Sequence, residues 1–183
     1  MKLHLGCGKK IIKGYKHVDY TNYDHIDWNK GIYPLDFIKD STVEEIYCSH
    51  ALEYFDYSDC KKVLTDWNRC LSDQGKLRIS VPDFDKLLKV YNATNNDLDK
   101  IIGPLFGRWE INNCEKIYHK CVFNKTKLEN IIYDSGFNSI IEWDPLNYFG
   151  AEKKDYDDYS KAYFPHMDFK NGFSISINFL ASK

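Results

Sequence analysis

The sequence predicts an α/β fold: a mostly parallel sheet with helices on both faces. Three observations lead there. Short apolar, strand-like runs alternate with segments of helical spacing along the 183 residues, the pattern of parallel strands joined by crossover helices. The first run, KLHL, leads straight into Gly-Cys-Gly, a turn suited to places where a side chain is unwanted. The last two runs, FNSIIEWDP and GFSISINFLASK, have no helical segment between them, so that pair is expected to be antiparallel.

Taken in order, KLHLG and YKHVDY are the first two strands, and a third lies around His25 to Trp28. VEEIYCSH is the fourth, ending in small and polar residues. SDCKKVLTDWNRCL has helical spacing, with Cys60, Val63, Leu64, Trp67, Cys70 and Leu71 on one stripe. SDQG is read as the glycine turn that closes this helix. KLRISVP is the fifth strand. FDKLLKVYNA and NNDLDKIIGPLF read as helical, and NKTKLENIIYDSG as a helix with a polar start and a glycine stop. FNSIIEWDP and GFSISINFLASK are the sixth and seventh strands. One domain over residues 1–183 is expected. Within it, residues 84–123 exceed a simple crossover and are expected to form a lid or acceptor wall. Residues 144–172 form a loop insert where a hairpin needs only a few residues. Its Tyr, Phe and Asp suit sugar-like polyols, and equally a packed surface loop.

Composition narrows the function classes. Lys and Arg number 25 against 27 Asp and Glu, a net charge of -2, which argues against a broad basic face for nucleic acid. No apolar run reaches the roughly 18 residues of a membrane span, and no charged-then-apolar leader is present. The six cysteines, Cys7, Cys48, Cys60, Cys70, Cys114 and Cys121, form no CxxC pair. They read as reduced thiols of a cytoplasmic protein, without zinc.

In a sheet of this kind the ligand sits at the carboxyl ends of the strands, where the Gly6–Gly8 turn lies. The glycines let the backbone approach a ligand, with their amide groups expected to face it. A nicotinamide site would want a third glycine where Ile11 stands, and an acid roughly twenty residues on. Asp19 arrives thirteen residues after Gly6. A P-loop would need Gly-Lys-Ser/Thr, which is absent. The expected ligand therefore lacks a pyrophosphate, as an adenosyl group with an amino-acid tail does.

LHLGCGKKIIKGYKHVDY resembles the first motif of class I S-adenosylmethionine-dependent methyltransferases. It is closest to the small bacterial type reading LNLGCG, similar to methyltransferase type 11. EEIYCSHALEYF, WNRCLSDQGKLRISVPDFDKL, YHKCVFNKTKLENIIYDSGF and FSISINFLASK resemble later motifs of that group, in its order, over roughly two thirds of the chain. Two positions depart from the pattern: His4 replaces the usual opening acid, and Lys10 the usual third glycine. The resemblance implies a Rossmann-like, seven-stranded sheet in the order 3-2-1-4-5-7-6. It implies S-adenosylmethionine as cofactor and S-adenosylhomocysteine as product. Leu5, Gly6, Cys7 and Gly8 would pass beneath the methionine part. Asp19, beside Tyr20, would accept from both ribose hydroxyls. Asp27 and Trp28 would meet the adenine, and Ser49 and His50 would lie beside the sulfonium.

Methyl transfer from a sulfonium is an in-line displacement, so the protein chiefly aligns the acceptor and removes its proton. For an alcohol acceptor, His is the first candidate base. His119 in IYHKC matches a His of the family's pattern and leads. His50 is second; it and Glu53, three residues apart, share a helical face. Asp83 and Asp85 follow the fifth strand and suit a substrate hydroxyl or a divalent ion. A metal would need oxygen ligands converging from two strand ends, so none is assigned. His17, His25 and His166 read as surface or loop residues.

The expected function is thus a methyltransferase acting, most simply at oxygen, on a small molecule or glycan precursor. The glycan part follows relatives of polysaccharide biosynthesis by analogy alone. The alternative is a non-catalytic cofactor-binding or partner-binding module. A nucleotide-dependent oxidoreductase is disfavoured by Ile11 and the early acid. No nucleic-acid or membrane partner is expected, and the oligomeric state stays open.

Overall fold

The computed structural model describes residues 1–111, 115–149 and 158–183. Its strands are β1 (Lys2–Leu5), β2 (Tyr15–Asp19), β3 (Trp28–Asn29), β4 (Val43–Ser49), β5 (Leu71–Pro82), β6 (Trp109–Ile111), β7 (Glu115–Ile117), β8 (Ser139–Glu142), β9 (Tyr163–Phe164), β10 (Phe173–Ser174) and β11 (Ser176–Ser182). Seven of them form one sheet in the order β3-β2-β1-β4-β5-β11-β8. The first five pair in parallel, and β11 runs antiparallel to both β5 and β8. This is the strand order and the antiparallel edge expected from the sequence. The pairs β6–β7 and β9–β10 are small antiparallel sheets of their own.

Strand β4 shows how the sequence sorts the two faces. Successive side chains point to opposite sides. Ile46 and Cys48 join the main core, while Tyr47 packs with Ile12, Tyr15 and Phe149 on the other side. Against the main core lies α1 (Tyr57–Cys70), burying Cys60, Val63, Leu64, Trp67 and Cys70. The Asp56 carboxylate accepts from the Ser58 amide at its N-terminus, a cap worth about 1 kcal/mol. Beside it lies α4 (Lys125–Asp134), capped by Asn124 and burying Leu128, Ile131 and Ile132. Between β5 and α4 the chain forms α2 (Phe84–Ala93), α3 (Ile102–Phe106) and the β6–β7 pair. Helix α5 (Pro145–Phe149) follows β8.

Three local expectations are corrected. Helix α1 does not end on the SDQG glycine: Leu71 is already extended, with φ -69 and ψ 138, and opens β5. The ladder jumps from Val43–Leu71 to Glu45–Lys76, so Ser72 to Gly75 loop out of it. Gly75 serves close approach there, since a Cβ would lie 2.8 Å from the Leu71 Cβ and from the Ser72 carbonyl oxygen. The third strand begins at Trp28 and not at His25. His17 is not a surface residue. It is buried in β2, its ring against those of His4 and His25. Burial first, then the neighbouring rings, hold His4 well below the ordinary histidine range.

Cys7, Cys48, Cys60, Cys70 and Cys121 are free thiols; Cys114 lies outside the described residues. So do positions 112–114 of the expected lid and 150–157 of the expected loop insert. Among the described residues, no helix is long and apolar enough to cross a membrane.

Candidate functional site

The Gly6–Gly8 turn stands at the carboxyl end of β1, and both glycines have left-handed φ, 63 and 53. A Cβ on Gly6 would lie 2.8 Å from the Ala51 Cβ. The turn thus packs directly on the segment after β4, an approach only glycine allows. Its amides do not face outward as expected. The Gly6 amide donates to the Val18 carbonyl at 2.9 Å, and the Gly8 amide to Asp19 Oδ2 at 2.8 Å. The physical reason is that buried amides need partners, and the end of β2 supplies them. Leu5 and Cys7 are likewise buried. Burial pushes the Cys7 thiol up to about 12.

Asp19 ends β2, is 9% exposed, and accepts from Gly8 through Oδ2 and from the Thr21 amide through Oδ1 at 2.8 Å. Each carboxylate oxygen has roughly two acceptor positions, so one remains on each. The Tyr20 ring folds over Gly31, where a Cβ would sit 2.6 Å from its hydroxyl. Asp27 precedes β3, pairs with Lys16 Nζ at 2.6 Å and accepts from the His17 amide at 2.8 Å. The residue level with Asp19 across the ladder is Asn29, whose amide donates to the carbonyls of Asp19 and Tyr20. Trp28 packs on Phe37. The sequence offered no sign of Asn29, because a two-residue strand leaves no periodicity to read.

At the end of β4 the Ser49 hydroxyl donates to Asp158 Oδ1 at 2.9 Å, as does the Tyr47 hydroxyl at 2.6 Å. Asp158, 5% exposed, escaped the sequence reading because it lies in a Tyr/Asp-rich stretch without period. His50 follows Ser49 with φ 51, a left-handed conformation that costs a non-glycine residue about 1–2 kcal/mol. The Ser176 hydroxyl donates to the Tyr159 carbonyl at 2.8 Å, so its oxygen accepts from His50 Nε2, also at 2.8 Å. That leaves the His50 Nδ1 lone pair toward Glu53 Oε1, 3.7 Å away. Burial first, then His119, pull His50 down to about 3.

Glu53 sits in the single turn Leu52–Tyr54 and is 1% exposed. On its other side His119 Nε2 is 3.6 Å from the same Oε1. Both separations exceed hydrogen-bond reach, and neither Glu53 oxygen has a hydrogen-bond partner among the described residues. Burial pushes this carboxyl up to about 8. His119 is held below its ordinary value by burial, against the carbonyls of Leu105 and Pro104. Its ring stands edge-on to Tyr54, 4.7 Å between centroids, and fills the space over Gly107.

Glu53 and His119 line one small cavity with Pro82, Phe84, Leu87, Pro104, Leu105, Cys121, Val122 and Phe123. Asp83 and Asp85 do not. Asp83 caps α2, accepting from the Asp85 amide and facing Lys86 Nζ at 3.5 Å, and Asp85 is exposed. Gly6 and Gly8 do not line it either. Trp109, two residues after Gly107, packs over Gly8, 3.5 Å from where a Cβ would stand. Among the described residues, no three His, Cys, Asp or Glu side chains converge as metal ligands.

Solved structures share this architecture. A methyltransferase from Methanosarcina mazei is 16% identical, with a TM-score of 0.55, over 100% of this chain and 91% of its own. One from Listeria monocytogenes is 17% identical, with a TM-score of 0.53, over 100% and 90%. The fold is that of S-adenosylmethionine-dependent methyltransferases. Within this methyltransferase fold, 1,6-didemethyltoxoflavin-N1-methyltransferase from Burkholderia thailandensis was solved with 1,6-didemethyltoxoflavin and S-adenosylhomocysteine bound. It is 11% identical, with a TM-score of 0.54, over 100% of this chain and 70% of its own. No protein-family model and no curated protein sequence matches the chain.

Proposed function

We propose that the chain is an S-adenosylmethionine-dependent methyltransferase that methylates a hydroxyl of a small molecule, a class that includes sugar units of a glycan precursor. One observation carries the reading. The left-handed Gly6–Gly8 turn at the end of β1 is hydrogen-bonded to Asp19 at the end of β2. This is a cradle at the carboxyl edge of a sheet of methyltransferase order, where such folds bind ligands.

The residues fit the cofactor. Asp19 keeps one acceptor position on each oxygen, the number two vicinal ribose hydroxyls require. The turn's amides are already engaged with β2, which suits a ligand without phosphate. Bound there, S-adenosylmethionine supplies an electrophilic methyl group. His119, neutral because of its burial, takes the acceptor's hydroxyl proton on a ring nitrogen, a contribution of about 10²–10⁴ in rate. His50 has its Nε2 committed to Ser176, so it is not the base in this reading.

Calorimetry with S-adenosylhomocysteine and with NAD tests this. The first should bind and the second should not. Asp19→Ala removes hydrogen bonds to a charged acceptor, roughly 1.5–3 kcal/mol each, so S-adenosylhomocysteine should bind at least tenfold more weakly. Unchanged affinity in that variant would falsify the assignment.

A further inference from the structure

We propose that Cys60 and Cys121 are a reversible redox pair: a peroxide joins them in a disulfide that fastens the segment before α4 to the first turn of α1. The inference stands on the placement of the two sulfurs and does not depend on the methyltransferase reading.

The two residues are 61 positions apart in the chain, yet their sulfurs are 3.9 Å apart. A disulfide needs about 2 Å. Cys60 is fixed in α1, where its Sγ donates to the Asp56 carbonyl at 3.4 Å. Cys121 lies in a stretch without helix or strand. Rotation of the two side chains and a small shift of that stretch close the gap.

The pair is asymmetric in the way a redox couple needs. Cys60 is fully buried, whereas Cys121 is half-buried and followed by the exposed Val122. The hydrogen bond from Cys60, then the Lys127 cation, hold the Cys121 thiol below its ordinary value, against burial and Asp56. The Cys60 thiol is pushed up by that same hydrogen bond and by burial. Cys121 therefore carries the thiolate, the reactive form, and Cys60 keeps its proton behind it. Burial pushes the other described thiols, Cys7, Cys48 and Cys70, up, which leaves Cys121 the reactive one among the described residues.

The chemistry balances with a peroxide as oxidant. The Cys121 thiolate attacks one oxygen of hydrogen peroxide, the O–O bond breaks, and hydroxide leaves to take up a proton as water. Cys121 is then a sulfenic acid. The Cys60 sulfur attacks it, the S–S bond forms and the S–O bond breaks. The departing hydroxide and the Cys60 proton make the second water. The two thiols lose two electrons and the peroxide gains them. A small thiol such as glutathione reverses the step by exchange.

The bond would tie down one strap. The Glu53 carbonyl accepts from the amides of Lys120 and Cys121 at 2.8 and 3.4 Å, and His119 stands two residues before Cys121. Oxidation thus anchors the stretch that carries the imidazole. A cross-link over so long a loop also restricts the unfolded chain.

The experiment treats the reduced protein with hydrogen peroxide, blocks the remaining thiols with N-ethylmaleimide and maps the peptides without reductant. Wild-type protein should lose two thiols per chain, show a Cys60–Cys121 cross-link, and recover both thiols with dithiothreitol. Its urea midpoint should be higher oxidised than reduced. Cys121→Ser should form no cross-link, show no midpoint difference, and react with peroxide about tenfold more slowly or less. Cys60→Ala should stop at a Cys121 sulfenic acid that dimedone traps. Should that variant fail to fold, the wild-type map still decides. Pairing of Cys121 with Cys114, oxidation that spares Cys121, or a Cys121 sulfinic acid beside a free Cys60 overturns the proposal. So does an oxidised protein no more resistant to urea than the reduced one.

Discussion

Glu45 and Glu53 stand eight residues apart, both buried, and the protein treats them in opposite ways. Glu45, in β4, accepts from Arg78 Nε at 2.9 Å and from Lys2 Nζ at 3.0 Å. Burial would raise its carboxyl, but the hydrogen bonds from Arg78 and Lys2 outweigh it and hold the group below the usual range. Arg78 is in turn covered by the rings of Trp143 and Tyr148. Glu53 has no such cation. It faces two histidines that are themselves held neutral by burial. The difference separates a structural ion pair from a chemical site. Where the fold needs a buried charge, it supplies every partner. Where a partner is left out, a ligand can complete the set.

The comparison breaks most visibly at Glu45. Glu45→Ala leaves Arg78 buried and unpaired, so chemical denaturation should show a loss of about 3–5 kcal/mol. S-adenosylhomocysteine affinity should be unaffected by that change. A loss below 1 kcal/mol, measured at about the strength of a surface pair, would mean Arg78 finds water instead.

Glu53 should act through pH. Its folded value of about 8 lies above the ordinary 4.5, so the folded state holds the proton longer than the unfolded chain does. Stability from this group is therefore present at low pH and lost as pH rises from the unfolded value through about 8. The steepest slope is on the order of 1.4 kcal/mol per pH unit. Glu53→Gln should flatten that slope between pH 5 and 8, roughly the span between the two values. A wild-type curve already flat there counts against a neutral Glu53.

A smaller effect is expected at Gly107, with φ 43. A Cβ there would lie 2.0 Å from His119 Nε2. Gly107→Ala should cost about 1–2 kcal/mol from the left-handed backbone alone and displace the imidazole, lowering turnover while sparing S-adenosylhomocysteine affinity. At the lower limit, Lys62→Ala removes an exposed pair with Asp59 at 2.8 Å and should leave the denaturation midpoint unchanged.

These residues also mark what the sequence could say. The sheet was legible because β1, β4, β5 and β11 are long or apolar enough to carry a pattern, and no crossover-length helical pattern precedes β11; the expectation of no helix there is corrected by the short α5, which leaves the antiparallel pairing intact. His119 and Glu53 were named from the sequence and do come together, yet their shared cavity was invisible, because their side chains meet from segments 66 residues apart. Around β3 the reading was thinner. Asp27 was named from the family resemblance, and nothing in the sequence pointed to Asn29, which the ladder places level with Asp19. The partners of the glycine amides were equally unreadable, since hydrogen bonding across strands depends on register and not on composition. Asp158 gave no signal at all: its donors, Tyr47 and Ser49, lie on a strand more than a hundred residues earlier.

The tryptophan over the glycine turn gives the molecule an optical handle. The chain has four tryptophans. Trp67 is fully buried with its indole bonded to Ile32, Trp143 is covered by Arg78, and Trp28 packs on Phe37. Trp109 alone among them lies against Gly8, half-buried, on a short strand pair outside the main sheet. Occupancy of the turn should therefore be written into the colour and intensity of its emission. With Trp109→Phe as the dark control, a fluorimeter can follow loading in real time, without label or turnover.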